Sequence, residues 1–125
     1  MNMRLLTLFY LFLLTFGAAP EVHAGGPAAR QGDTTTHNGM VIAGSPTVLI
    51  SDAPAARLGD FVVCPEVSQN GGVPVPHVGG QIITGVPTVL IDGMPAATVG
   101  DTVQEVGVQS AINLGAPTVL IGTGN

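Results

Sequence analysis

Apolar residues beyond residue 24 occur in short runs separated by glycine, proline and aspartate. Runs of about four residues that are rich in Val, Ile, Leu and Thr are typical of strands, and Asp92-Gly93 between two of them is a hairpin signal. No stretch there shows a sustained 3.6-residue period, so the pattern predicts an all-β body. Residues 66–76 are rich in Gly and Pro and lack periodicity, and we expect them to form an irregular insertion. The predicted strands include residues 40–42, 47–50, 81–84, 88–91, 110–113 and 118–121.

Two strings alternate along this body and divide it into three copies of one unit. The first string is Pro-Ala-Ala-Arg-x-Gly-Asp at 27–33 and 54–60, and Pro-Ala-Ala-Thr-Val-Gly-Asp at 95–101. The second is Pro-Thr-Val-Leu-Ile, at 46–50, 87–91 and 117–121. Units this small must pack on one another to bury their apolar faces, and a pseudo-threefold arrangement is the simplest closed one. The alanine pairs suit a close approach of backbones near a narrow axis. We place the three units at about 27–53, 54–94 and 95–125.

Residues 1–24 differ from the rest, and we expect a hydrophobic N-terminal helix or leader there. One early base, Arg4, precedes an apolar run at 5–19, and Val22 and Ala24 suit the small-residue cleavage rule. This predicts a secretory signal peptide cleaved after Ala24. A membrane anchor stays open, although a spanning helix needs roughly 20 apolar residues. A misassigned start and a chaperone-bound leader are the other interpretations. The remainder, 25–125, is expected to form one domain.

Charge and cysteine content exclude several classes of function. The formal net charge is −5, there is no Lys, and only Arg30 and Arg57 follow the leader. Nucleic acids and anionic membranes need clustered basic residues, so neither is an expected ligand. A single cysteine, Cys64, cannot form an intrachain disulfide. A domain of about 100 residues is often stabilised by a metal or by partners instead.

Three equivalent positions carry residues able to bind a metal. The residue four positions after the Asp of the first string is His37, Cys64 and Glu105 in the three copies. Pseudo-threefold packing can bring these together, and the insertion in the second copy delivers His77. A soft thiolate with imidazoles favours zinc, and a tetrahedral structural site needs four ligands. The pattern predicts a structural zinc site at His37, Cys64 and His77, with Glu105, water or another group as the fourth ligand.

The two strings, together with Cys64-Pro65 and Pro-His-Val-Gly-Gly at 76–80, resemble the PAAR-repeat proteins over essentially all of 25–125. The resemblance implies a small cone of short strands with zinc near its apex. Its base would cap the trimeric VgrG-like spike protein of a type VI secretion system, and its sharp end would lead through a target membrane. His37, Cys64 and His77 match the zinc-ligand positions of the family. The third copy departs, with Glu105 where the family usually has Cys or His, and Thr98 in place of Arg.

Three functions are open at this point. The first is a structural, non-enzymatic spike tip that helps to pierce target membranes and carry effectors, which would bind as separate proteins. The second is a zinc hydrolase with Glu105 as general base, although the chain has few polar residues for a substrate pocket. The third is an exported periplasmic or surface β-repeat binding module. The protein would leave the cell through the type VI apparatus or be exported to the periplasm, and an anchor at 1–24 would hold it in a membrane instead.

Overall fold

The computed structural model describes residues 25–122, and this part of the chain is all-β. The predicted leader at 1–24 lies outside the described residues. Within 25–122 no helix is long and apolar enough to cross a membrane. The strands are β1 (Gly26–Ala28), β2 (Met40–Val41), β3 (Leu49–Ile50), β4 (Ala53–Pro54), β5 (Phe61–Asn70), β6 (Val73–Ile82), β7 (Val86–Ile91), β8 (Met94–Ala96), β9 (Thr102–Gln104), β10 (Gln109–Ala111) and β11 (Ala116–Ile121).

The strand pairing follows the repeat. Each Pro-Thr-Val-Leu-Ile string contributes a strand that pairs antiparallel with a strand of a Pro-Ala-Ala string: β3 with β4, β7 with β8, and β11 with β1. The last pair joins the two ends of the described chain, because Gly26 lies opposite Ile121. The remaining strands form one antiparallel sheet in the order β10-β9-β6-β5-β2. The three copies are therefore closed by pairing of the first with the last.

A ring of backbone hydrogen bonds joins the second alanines of the three strings. Ala56 N–H donates to the Ala29 carbonyl at 2.9 Å, Ala97 to Ala56 at 3.0 Å, and Ala29 to Ala97 at 2.9 Å. All three residues are buried. At this approach of three backbones a side chain larger than a methyl group has no room, which agrees with the role expected of the alanine pair.

Apolar side chains pack in two clusters, with one alanine of each pair in each. The cluster beside the Pro-Thr-Val-Leu-Ile strands contains Ile50, Ile91 and Ile121. The cluster beside the five-stranded sheet is built mainly from β-branched residues. These are Val41, Val62, Ile82, Val103 and Ile112. Successive residues of a strand point to opposite faces, so one Ala-Ala pair serves both clusters.

The expectation of an irregular insertion at 66–76 is wrong. Strands β5 and β6 are each ten residues long and pair as far as Asn70 and Val73, across a turn at Gly71-Gly72. Both glycines have positive φ, which suits a tight turn. The prolines at 74 and 76 do not break β6, because β9 pairs with it only at Gln81 and Ile82. A proline is tolerated where no neighbouring strand needs its missing N–H.

The same hydrogen bond to the aspartate stabilises the Gly-Asp turn in all three copies. The carboxylate of Asp33, Asp60 or Asp101 accepts a hydrogen bond from the backbone N–H three residues earlier, at 2.7 to 2.8 Å. In the first two copies the Arg guanidinium of the same turn donates to the other carboxylate oxygen. In the third copy the Thr84 hydroxyl donates to that oxygen of Asp101, at 2.7 Å. A threonine from a different segment thus contributes where Thr98 replaces arginine.

Candidate metal centre

The four predicted residues arrive from four different segments. Cys64 lies on β5, His77 lies opposite on β6, and Glu105 directly follows β9. His37 lies in the tight turn between Thr35 and Gly39, where Thr35 N–H bonds the Gly39 carbonyl and Gly39 N–H bonds the Thr35 hydroxyl. A Cβ at Gly39 would lie 2.5 Å from the Val63 carbonyl oxygen, so the turn can approach β5 only with glycine there.

The structure brings all four side chains to one point. One nitrogen, sulfur or oxygen atom from each of His37, Cys64, His77 and Glu105 lies within 4.8 Å of the others. His77 Nδ1 is 3.5 Å from Cys64 Sγ and 3.5 Å from Glu105 Oε2, and His37 Nδ1 is 3.1 Å from Glu105 Oε1. Cys64, His77 and Glu105 are buried, while the His37 side chain is 30 % exposed.

The two spacings from His77 Nδ1 suit zinc. Zinc bonds of 2.0 to 2.3 Å in a tetrahedron place neighbouring ligand atoms about 3.3 to 3.8 Å apart. The distances around His77 Nδ1 fall in that range, and the His37–Glu105 distance is slightly shorter. A thiolate with two imidazoles and a carboxylate is also a zinc ligand set. The cluster can therefore hold a metal ion, and Glu105 lies within it rather than outside.

The ionisation of Glu105 and Cys64 affects how the cluster would bind a cation. Burial opposes ionisation of Glu105, but the neighbouring hydroxyl of Ser110 and the side chains of Cys64 and His37 outweigh it and lower the pKa of the carboxyl. Burial raises the pKa of the Cys64 thiol, and the Glu105 carboxylate raises it further. A cation at this point would favour the thiolate and release its proton, as metal binding by cysteine requires.

Two contacts of the hairpin with the site were not predicted from the sequence. Ser68 Oγ lies 2.6 Å from His77 Nε2, and Asn38 Nδ2 donates to Glu66 Oε2 at 3.1 Å. Ser68 and Glu66 belong to the stretch expected to be irregular. Its one usable signal was the turn sequence Asn-Gly-Gly at 70–72 between Val67 and Val73, and the prolines obscured it.

Comparison with known proteins gives one family. The model of that family, described as the PAAR motif, matches the chain twice, at residues 31–75 and 71–125. No curated protein matches the chain. The two matches together span well over half of the sequence and include every residue of the metal cluster and of the three Pro-Thr-Val-Leu-Ile strings. The chain belongs to the PAAR motif family.

Proposed function

We propose that this protein is a structural, zinc-stabilised tip that caps the trimeric spike of a type VI secretion apparatus. PAAR motif proteins are structural spike components, and the family is associated with VgrG-like spike proteins. The protein would be a small pseudo-threefold cone, with the metal cluster near the narrow end. It would help to pierce the target membrane mechanically and to carry effectors that bind as separate proteins.

Three equivalent leucines carry this proposal. Leu49, Leu90 and Leu120 occupy the same position in the three Pro-Thr-Val-Leu-Ile strings and are 61 %, 59 % and 61 % exposed. The Ile that follows each leucine is buried in the cluster beneath. The leucines therefore form an apolar set on the outside of this cluster, which we call the leucine face.

The symmetry of the leucine face suits a trimer. A partner made of three identical chains presents the same surface three times around one axis, and the face repeats one leucine three times. Each leucine is about three-fifths exposed, so most of its apolar surface is free to be buried by a partner. We infer that the leucine face docks on the end of the spike.

The metal would stabilise the other end. His37, Cys64 and Glu105 come from the three copies, and His77 comes from the hairpin, so one ion would crosslink four segments, the outermost of which are 68 residues apart in a chain of 125. When bound, zinc supplies four strong bonds that resist local unfolding. Four protein ligands leave no open position, which supports a structural role over hydrolysis.

Export remains a second proposal because of the sequence at 1–24. If that segment is cleaved as a signal peptide, the protein would be a periplasmic or surface binding module instead of a spike tip. N-terminal sequencing of the native protein distinguishes the two, since a new N-terminus at Gly25 would mean export by the signal-peptide route.

The proposal as a whole is tested by mixing the full-length protein with a purified trimeric VgrG-like spike. We expect a complex of one chain with three spike chains, measured by light scattering, and one zinc per chain, measured by elemental analysis. Absence of the complex would refute the role as a spike tip, and absence of zinc would refute stabilisation of the protein by the metal.

A further inference from the structure

We infer that Ser68 is a positioning residue for the metal centre: it holds His77 in the tautomer and orientation that present Nδ1 to the ion. The inference rests on the proposed zinc site and adds to it a residue outside the ligand set. It also gives a purpose to the outer part of the β5–β6 hairpin, which has no counterpart in the other two copies.

The two ring nitrogens of His77 have different surroundings. Nδ1 faces the cluster, 3.5 Å from Cys64 Sγ and 3.5 Å from Glu105 Oε2. Nε2 faces away from it and lies 2.6 Å from the hydroxyl oxygen of Ser68. His77 is only 5 % exposed, so water has little access to either nitrogen.

Metal binding through Nδ1 would determine which nitrogen of His77 carries the proton. A neutral imidazole has one N–H, and a nitrogen that binds a metal cannot carry it. If Nδ1 is the ligand, Nε2 carries the proton and its N–H donates a hydrogen bond to Ser68 Oγ. Such a bond from the distal nitrogen fixes the ring and raises the basicity of the ligating nitrogen. Removing an outer-shell partner of this type typically weakens metal binding about 10- to 100-fold.

The register of the β5–β6 hairpin places Ser68 within hydrogen-bond distance of His77 Nε2. A register shift between Cys64 and Val67 separates the ligand on β5 from the regular pairing beyond it. Beyond the shift Ser68 pairs with Val75, two residues before His77 on β6. A hairpin that ended before Ser68 would leave the buried Nε2 with no partner among the described residues. Since an unpaired buried polar group is costly, the extension and the histidine are coupled.

The experiment compares zinc affinity and the His77 tautomer in the full-length protein. Three variants are used: Ser68→Ala, which removes the hydroxyl, Ser68→Thr, which keeps it on a residue that suits a strand, and Gln69→Ala, the control. Gln69 is the exposed neighbour on the opposite face of β5, so its truncation disturbs the same strand without touching His77. Affinity is measured by competition with a chromophoric chelator. The tautomer is read from two-bond ¹⁵N–¹H correlations of the zinc-loaded protein.

We expect Ser68→Ala to bind zinc about 10- to 100-fold more weakly, and Ser68→Thr and Gln69→Ala to remain close to the wild type. The spectra of the wild type should show the His77 proton on Nε2. Affinity of Ser68→Ala within about threefold of the wild type overturns the inference, since outer-shell partners of this type typically contribute more. A proton on Nδ1 overturns it too, and this result can be obtained with the wild type even if Ser68→Ala fails to fold, in which case Ser68→Thr still tests whether the hydroxyl sustains the affinity. A wild-type protein that binds no zinc defeats the proposed metal centre itself, so the two failures are distinguishable.

Discussion

Truncation of the leucine face separates docking from folding. Leu49, Leu90 and Leu120 are about three-fifths exposed, so a spike that covers them would bury most of each side chain. Full burial of a leucine is worth about 1.5 to 3 kcal/mol. Scaled by the exposed fraction, each leucine contributes roughly 1 to 2 kcal/mol to docking, or about 5- to 30-fold in Kd. The three substitutions lie in separate copies, so their effects should add and raise the Kd of the triple variant by about 10²- to 10⁴-fold.

The assay is titration of the spike with the wild type, the three single Leu→Ala variants and the triple variant, followed by calorimetry. Thermal unfolding of each variant is measured in parallel, and we expect small changes because surface substitutions usually alter stability by less than about 0.5 kcal/mol. The matched control is Val73→Ala, because Val73 is equally exposed, at 61 %, but lies at the hairpin turn. A folded triple variant that binds the spike within twofold of the wild type would refute the assignment of the docking face.

Four further outcomes are expected from the structure. Chelation of the metal-loaded full-length protein should lower its melting temperature, and zinc should restore it; an unchanged temperature would count against a structural metal. Ala56→Val should destabilise the protein by about 1 to 3 kcal/mol in denaturant titrations, because the ring of alanine backbones has no room for two more methyl groups. Unchanged stability would show that the packing around Ala56 accommodates a larger side chain. Asp101→Ala should cost at least about 1 to 3 kcal/mol by the same measurement, since it removes the acceptor of the buried Thr98 N–H; equal stability would contradict the role given to this carboxylate. Asp92 accepts hydrogen bonds from Ser45 and Thr47 and pairs with Arg57, and these contacts lower its pKa below the ordinary 3.8. The contribution of Asp92 to the stability of the fold is therefore present above pH 3.8 and is lost as the pH falls through the lowered pKa. Asp92→Asn should therefore flatten the acid limb of the stability profile, and an unchanged limb would contradict this.

Local sequence was sufficient for the repeat, for the all-β class and for the residues that meet in the cluster. Strings repeated in the same order require equivalent environments, so the position after each Gly-Asp turn could be carried from copy to copy. That reasoning placed His37, Cys64 and Glu105 together, and the structure brings them within 4.8 Å along with His77. Glu105 was the uncertain member, because nothing in a sequence says whether a carboxylate lies inside a cluster or beside it.

The insertion shows where this reasoning failed. Residues 66–76 contain two prolines and two glycines and show no sustained periodicity, and these features normally argue against a strand. The chain forms a hairpin there because the prolines lie on a part of β6 that has no second neighbour among the described residues. Which edge of a strand is free depends on the sheet order, which the local sequence does not specify.

The sequence by itself determined that the described chain would be all-β and threefold in its pattern. The repeat places His37, Cys64 and Glu105 at equivalent positions, and the insertion that interrupts the repeat supplies His77. Only the tertiary structure decided which atoms compensate for departures from the repeat. Thr84 donates to Asp101 where an arginine is missing, and Ser68 meets the far nitrogen of His77. The Ser68–His77 contact joins residues 9 positions apart across β5 and β6, and the Thr84–Asp101 contact joins residues 17 positions apart, just after β6 and just before β9. Contacts of this kind depend on register and on side-chain direction, and the packing of the whole sheet sets both.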